Sequence, residues 1–388
     1  MVQTGLELLL SEKLQLVQGE RIAVISHPAS VDSQLRHVVD LFQDHPKIRL
    51  TALLGPQHGT RGETQDNMIE WEGYQDRHRG LPVYSLYGKV RQPTEEMLHE
   101  VDVLVFDLQD VGSRYYTFVW TMALAMQACA QYGKRFIVLD RPNPIGGLGV
   151  EGNLPEPEFR SFVGLYPIAV RHGMTIAELA RYLNAEFQIN CSLEVVPMRG
   201  WKREMFFEQT GLPWVFPSPN MPTMDTALVY PGCCLLEGTN LSEGRGTTRP
   251  FEISGAPWAK PDDLVTLLQG IDLPGAHFRP ITFAPTFHKW QKHVIGGVQI
   301  HVIDRTVFRP FRTGLALIQA YFQLGPDRFR WKHPPYEYEY EKLPFDILVG
   351  TDQVRPLLEQ GKTPMELERS WDQDLKLFQT QREKHLLY

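Results

Sequence analysis

The chain has 388 residues, which is longer than one hydrophobic core usually serves, so two domains are expected. Apolar residues make up 43% and charged residues 22%, as in ordinary soluble globular proteins. The net charge of -7, without any Lys/Arg cluster, argues against nucleic-acid partners and against binding to an anionic membrane surface.

The cysteines, the uncharged stretch and the N-terminus restrict the class of protein further. The four cysteines lack metal-ligand spacing and are predicted to be reduced, mostly buried thiols: Cys129, Cys191, Cys233 and Cys234. Residues 115–133 carry no charge, but their Thr and Gln residues favour a buried crossover helix over membrane insertion. The N-terminus shows no signal peptide, so a cytoplasmic location is expected for the chain as it stands, or export if a signal preceded this numbering.

The first half of the chain alternates apolar strand-like runs with helical patterns. Strands are predicted over 21–28, 48–54, 81–86 and 101–109, and from residue 135. Helices are predicted over 5–17, 31–44, 115–133 and 175–187, and after Thr94, while residues 65–80 read as a loop over a site. This alternation is typical of an α/β protein with a doubly wound, mostly parallel sheet.

The second half changes character. Residues 211–222 are proline-rich and are predicted to pass close to the site, and residues 236–248 form a second turn-rich, glycine-rich segment. Helices are predicted from 261, over 313–324 and from 364 towards the end, with strands near 281–283 and 297–303. We therefore expect domains at 1–225 and 226–388, the second being a smaller α+β domain.

The most informative stretch is the turn at residues 55–63, which follows the second strand. It carries His58, Arg61 and Glu63 among three glycines, whose backbone can bend closely around a ligand. Open α/β sheets place their chemistry at such carboxyl ends of strands. Other predicted strands also end in polar groups: His27, then Asp107 and Gln109, then Asp140 and Arg141. These ends predict one shared crevice.

Nothing in the sequence indicates a cofactor. The first strand is followed by His27-Pro28-Ala29-Ser30 rather than a glycine-rich fingerprint, and no Walker-type motif occurs. His27, His58, Asp107 and Asp140 could gather around a metal, but the chain lacks H-E-x-x-H or any tight His pair. We expect no cofactor and no metal, and keep a metal-dependent hydrolase as an alternative.

Four motifs carry a resemblance that covers nearly the whole chain: GPQHGTRGE (55–63), FDLQDVGSRYYT (106–117), LDRPNP (139–144) and EGTNLSEGRGTT (237–248). In this combination the chain resembles the exo-β-N-acetylmuramidase family. The resemblance implies a Rossmann-like N-terminal domain and a smaller C-terminal domain. It also implies release of N-acetylmuramic acid from the non-reducing end of peptidoglycan fragments.

The resemblance also implies roles for the carboxylates. Glycoside hydrolysis usually needs two carboxyl groups beside the scissile bond. Glu63 resembles the family's catalytic glutamate and takes the acid/base role. Its partner is expected to be Glu243 or Asp107, with Asp110 and Glu237 behind them. The substrate's own acetamido carbonyl is a further alternative to a second carboxylate.

Substrate binding is expected to use an arginine, because a guanidinium pairs bidentately with the lactyl carboxylate of muramic acid. The motifs offer four: Arg61, Arg114, Arg141 and Arg245. Further binding groups are expected at His58, Gln109, Asp140, Asn143 and Asn220. A non-hydrolytic protein that binds amino sugars or muropeptides with the same groups remains an alternative.

Overall fold

The computed structural model describes residues 1–65 and 68–388. A seven-stranded sheet forms the centre of the first half, with β1 (Arg21–Ser26), β2 (Arg49–Gly55), β3 (Tyr74–Asp76), β4 (Leu81–Ser85), β5 (Val103–Asp107), β6 (Arg135–Leu139) and β7 (Ser192–Val196). The strand order is β3-β4-β2-β1-β5-β6-β7, and only the β3-β4 pair is antiparallel. Counting only the six parallel strands, this is the Rossmann order, so the predicted fold class is confirmed.

The parallel strands form where the chain has short, continuous runs of β-branched and large apolar residues. Strand β5 is buried along its whole length, as expected for a strand covered on both faces. Its last residue, Asp107, pairs in register with Ser26 at the end of β1. The sheet order reverses at β1, so polar groups following these two strands lie where such sheets usually bind ligands.

The helices that accompany the sheet are α1 (Gly5–Glu12), α2 (Val38–Gln43), α3 (Glu95–Leu98), α4 (Phe118–Gln131) and α5 (Ile176–Glu186). Helix α4 is almost entirely buried, which confirms the predicted crossover helix. No helix in the described part of the chain has both the length and the apolar character needed to cross a membrane. All four cysteines are buried and free, as predicted.

The helix predicted over 31–44 is wrong in its first half, because α2 begins only at Val38. The Asp32 carboxylate accepts hydrogen bonds from the backbone N–H groups of Gln34 and Arg36, and Leu35 adopts φ 64. An aspartate that bonds to nearby backbone in this way stabilises a turn at the expense of a helix.

The second half is built on a smaller antiparallel sheet in the order β8-β10-β9, with β8 (Ile253–Ala256), β9 (Ala276–Phe283) and β10 (Ile295–Val302). Its helices are α6 (Met224–Cys233), α7 (Pro261–Gln269), α8 (Pro310–Leu324), α9 (Pro344–Val349), α10 (Val354–Glu359), α11 (Pro364–Ser370) and α12 (Asp372–Glu383). The expected smaller α+β unit is therefore present.

The single closing helix predicted from residue 364 is also wrong, because the segment is two helices separated at Trp371. That residue has φ -117, outside the helical range, and its buried ring packs edge-on against Phe311 with ring centroids 6.0 Å apart. Burying the Trp371 ring on α8 redirects the chain between α11 and α12.

Arg114 holds the two halves together. Its buried guanidinium donates to the carbonyls of Asn153 and Ile168 in the first half and of Leu348 and Val349 at the end of α9, at 2.5–3.1 Å. Burial lowers its pKa to about 10, so the group stays cationic at neutral pH. Because Nη1 and Nη2 both donate to backbone carbonyls, we assign this motif arginine to docking the two halves.

Candidate active site

A narrow cavity lies between the two halves of the molecule. Its walls include Gln57, His58, Tyr116, Ser218, Asn220, Tyr230, Glu237, Arg245, Phe251, Tyr336 and Glu337. The cavity volume is about 40 Å³. That is room for about three water molecules, so a sugar ring enters only if part of the wall moves.

The first wall comes from the turn that follows β2. His58 adopts φ 71 and Gly59 φ 81, and His58 Nδ1 lies 2.7 Å from the carbonyl of Thr64. The side chain of Asn220 donates to the carbonyl of Gln65 at 2.7 Å and accepts from the Gln65 amide at 3.2 Å. The proline-rich segment therefore does pass beside the turn, and together they bring His58 and Asn220 into one cavity.

A buried carboxyl group, Glu337, faces the turn from the second half of the chain. Tyr87 donates its hydroxyl to Glu337 Oε2 at 2.8 Å, and Gln57 Nε2 lies 3.4 Å from Oε1. Gln57 in turn accepts from Thr117 at 2.7 Å. Burial raises the pKa of Glu337 to about 7, against the opposing hydrogen bond from Tyr87. A carboxyl group with this pKa can donate a proton near neutral pH.

We expect the pKa of Glu337 to appear in the pH dependence of stability. Because its folded pKa of about 7 exceeds the ordinary 4.5, the folded state holds a proton that the unfolded state releases. Stability should therefore fall as pH rises between these values, by roughly 3 kcal/mol from this group. The unfolding free energy of Glu337→Gln, measured by chemical denaturation, should lack this pH dependence. The variant should therefore become more stable relative to the wild type as the pH rises from 4.5 to 7. Parallel profiles would contradict the assignment.

The second wall centres on Arg245, from the turn-rich segment 236–248. Arg245 Nη2 donates to Glu237 Oε1 at 2.7 Å, and the Tyr336 hydroxyl donates to Glu237 Oε2 at 2.7 Å. Burial would raise the pKa of Glu237, but the neighbouring Arg245 and these hydrogen bonds outweigh it and leave that pKa lowered. An ionised Glu237 therefore holds the guanidinium at the cavity wall.

Glu243 lies behind Arg245 and does not line the cavity. Its carboxylate contacts Lys289 Nζ at 2.9 Å, His288 Nδ1 at 3.0 Å and Arg245 Nε at 3.4 Å. Burial opposes its ionisation, but Lys289, His288 and Arg245 together hold the pKa of Glu243 far below its usual range. A carboxylate that is kept ionised in this way is better suited to pairing with the cations around it than to donating a proton.

The other predicted site residues lie at the carboxyl edge of the sheet and bond to one another. Arg141 binds both oxygens of the fully buried Asp107, at 2.6 and 2.8 Å. The Gln109 side chain donates to the carbonyls of Asp110 and Pro142. Beside them the chain leaves a gap of only about 20 Å³, lined in part by the segment 207–215. The usual ligand crevice of the fold is thus largely filled by protein.

Asp140 and Asn143 also lie at the carboxyl edge of the sheet. Asp140 accepts from the hydroxyls of Thr175 and Tyr388 at 2.9 and 2.7 Å, and burial raises its pKa to about 7. Asn143 donates to the carbonyl of Met174 at 2.9 Å. Both side chains anchor the loop that precedes α5, and neither lines the cavity between the two halves.

The Asp107–Arg141 pair predicts a stability effect. Removing the guanidinium strands a buried carboxylate, which typically costs 3–5 kcal/mol. We expect Arg141→Ala to lower the unfolding free energy by about this amount in denaturant titrations. Arg61→Ala is the matched control, since Arg61 is exposed and should change stability by less than about 0.5 kcal/mol. Equal effects of the two variants would contradict the buried pair.

Glu63 and Arg61 lie on the outer side of the turn. Glu63 is exposed and is not among the side chains that line the cavity. Arg61 stacks on Tyr74, with its guanidinium carbon 5.1 Å from the ring centroid. Gly59 and Gly62 have φ 81 and 69, conformations that glycine adopts without strain.

Sequence reasoning missed the cavity residues Gln57, Tyr336 and Glu337, and also Lys289, which contacts Glu243 behind the cavity wall. The alternating Tyr and Glu residues of 336–341 were a usable signal for Glu337. In the described ranges 1–65 and 68–388, no group of three or more His, Cys, Asp or Glu side chains is arranged to hold a metal ion.

Similarity to known proteins extends along nearly the whole chain. Residues 22–225 match the family model of the N-terminal domain of exo-β-N-acetylmuramidase NamZ, and residues 228–388 match that of its C-terminal domain. The peptidoglycan β-N-acetylmuramidase NamZ of Bacillus subtilis is 47% identical over 387 residues, covering 100% of this chain and 91% of that protein.

Two crystal structures of DUF1343 family proteins from Bacteroides fragilis are similar over 100% of this chain and 99% of theirs. Their TM-scores are 0.89 and 0.78, at 37% and 29% sequence identity.

Proposed function

Since the chain belongs to the exo-β-N-acetylmuramidase NamZ family, we propose that it is an exo-acting glycoside hydrolase of peptidoglycan fragments. It releases N-acetylmuramic acid from their non-reducing end. The observation that carries this proposal is the cavity between the two halves, where a buried arginine and a protonatable carboxyl group line one space.

Arg245 is the arginine best placed to bind the lactyl carboxylate. It is the one motif arginine among the side chains lining the cavity in the described residues, whereas Arg114 binds backbone carbonyls and Arg141 binds Asp107. A guanidinium binds a carboxylate through charge-assisted hydrogen bonds. This group therefore supports selection of muramic acid over glucosamine.

Two carboxyl groups support the chemistry from opposite sides. Glu337 lines the cavity as a neutral acid below about pH 7, and Glu63 lies on the turn that carries His58. For Glu63 to reach a bound sugar, residues 59–63 must close over the cavity, a motion suited to the two left-handed glycines in that turn. We assign Glu63 the acid/base role. Glu337, with a pKa of about 7, is partly ionised at neutral pH, and we assign its carboxylate form the role of second carboxyl group.

The direct test is incubation of the purified protein with a peptidoglycan-derived disaccharide that carries N-acetylmuramic acid at its non-reducing end. Release of free N-acetylmuramic acid, one residue per chain end, is the expected product pattern. Binding of the disaccharide without turnover would favour the non-hydrolytic amino-sugar-binding alternative.

Metal dependence is tested in the same assay. Exhaustive chelation should leave the hydrolysis rate unchanged, because three-ligand clusters are missing from the described residues and the proposed acid is a carboxyl group. If chelation abolishes activity and added zinc or manganese restores it, the result would favour the alternative of a metal-dependent hydrolase.

A further inference from the structure

A loop outside the four sequence motifs, residues 284–293, packs on the segment that carries Arg245. Thr286 donates its backbone N–H and its hydroxyl to the carbonyl of Gly246, at 2.8 and 2.9 Å. Gly246 has φ 77, and a Cβ there would lie 2.4 Å from the carbonyl oxygen of Phe287. The Trp290 indole donates to the carbonyl of Asn240 at 2.6 Å. These contacts hold the loop 284–293 and the segment that carries Arg245 together.

The backbone of this loop is unusual. His288, Trp290 and Lys292 adopt φ of 68, 58 and 65, a region that residues with a Cβ rarely occupy. Such conformations cluster where surrounding structure fixes a side chain for function. The side chain presented between His288 and Trp290 is Lys289.

Lys289 is mostly buried and uses its ammonium on three acceptors. Nζ donates to the carbonyls of Leu236 and Leu241, at 2.9 and 3.0 Å, and to Glu243 Oε2 at 2.9 Å. Three acceptors match the three N–H donors of a protonated lysine. Lys289 thus fastens the segment 236–241 and fixes the carboxylate that contacts Arg245 Nε.

Ion pairs link the charged groups of this cluster. Arg245 contacts Glu237 and Glu243, while Lys289 and His288 also contact Glu243. Removing the charge of Lys289 would make this wall more negative beside the position proposed for an anionic group of the substrate, and like charges brought together in an interface are costly.

We infer that Lys289 is a positioning residue that sets specificity for the anionic sugar. It holds Glu243 and offsets part of its charge, so that Glu243 competes less with the substrate carboxylate for the guanidinium of Arg245. This inference rests on the proposed function, in which Arg245 binds that carboxylate. A neutral sugar of the same shape gains nothing from the charge of Lys289.

The test compares Lys289→Gln, which retains hydrogen-bond donors but loses the charge, with Lys289→Arg, which retains the charge. The substrates are paired chromogenic β-glycosides of N-acetylmuramic acid and N-acetylglucosamine. For Lys289→Gln, kcat/KM on the muramide should fall at least about 10-fold, mainly through KM, and on the glucosaminide less than about 3-fold. Lys289→Arg should keep most of the preference. Lys292→Gln, an exposed change in the same loop, is the matched control.

The outcomes separate the possible roles of Lys289. Equal losses on both sugars, together with a lower Tm, would make it a structural residue only and overturn the inference. Unchanged rates in Lys289→Gln would overturn it as well. If Arg245→Ala also left the preference intact, the assignment of Arg245 itself would fail. An effect of Arg245→Ala without one of Lys289→Gln would refute only the role of Lys289.

Discussion

Changing Arg245 to alanine is expected to reduce the preference for N-acetylmuramides over N-acetylglucosaminides by at least about 10²-fold in kcat/KM. The two sugars differ by the lactyl ether at the 3-position, and its carboxylate is the feature that a guanidinium can select. A charge-assisted hydrogen bond contributes about 1.5–3 kcal/mol, and a buried charge left without its partner costs more. A cavity that merely fits the ring would gain little from the difference.

The controls for Arg245 address its second role, which is to neutralise the two carboxylates that it contacts, Glu237 and Glu243. Arg245→Lys keeps the charge but loses the bidentate geometry, so we expect an intermediate preference and near-normal stability. Arg61→Ala should leave the preference unchanged, because Arg61 lies on the outer side of the turn. Preference lost in Arg61→Ala and retained in Arg245→Ala would move the carboxylate site to the surface of the turn.

Changing Glu63 to glutamine is expected to lower turnover by roughly 10²–10⁴-fold, because an amide cannot transfer the proton that the transition state requires. Stability should change by less than about 0.5 kcal/mol, since Glu63 is exposed. The measurement is kcat on the muramide, with a urea titration of the same preparation. Near-wild-type turnover would remove Glu63 from the mechanism.

The second carboxyl group is tested in the same assay. Glu337→Gln should lower turnover at least about 10²-fold while retaining the hydrogen bonds that an amide can make with Tyr87 and Gln57. Glu72→Gln, an exposed change near the same turn, serves as a control for handling and expression. A large loss in Glu63→Gln beside a small one in Glu337→Gln would favour the substrate's acetamido group as the second participant.

Much of the fold follows from local sequence. The segments that form β1, β2, β5 and β6 are short and rich in β-branched or large apolar residues, a pattern typical of a parallel sheet that is covered on both faces. The sheet-edge strand β7 was missed because it is half exposed and lacks a continuous apolar run. The errors at Asp32 and Trp371 arose from one side chain each, through a backbone hydrogen bond and a tertiary contact.

The site was less predictable than the fold. The motifs indicated the two turns that form the cavity walls, because clustered glycines and charged groups mark close approach of the backbone to a ligand. They did not separate Arg245 from Arg114 and Arg141, since burial and partners depend on contacts far along the chain. Glu337 forms a hydrogen bond with Tyr87, which lies 250 positions earlier in the chain, and no local sequence pattern predicts a contact over that separation.

The most direct test of the account is a crystal structure of the Glu63→Gln variant bound to a disaccharide with N-acetylmuramic acid at its non-reducing end. The expected result is a sugar ring between the two halves, with its lactyl carboxylate about 2.7–3.2 Å from the guanidinium of Arg245. A sugar bound at the sheet edge beside Asp107 and Arg141, or on the outer face of the turn beside Arg61, would contradict it.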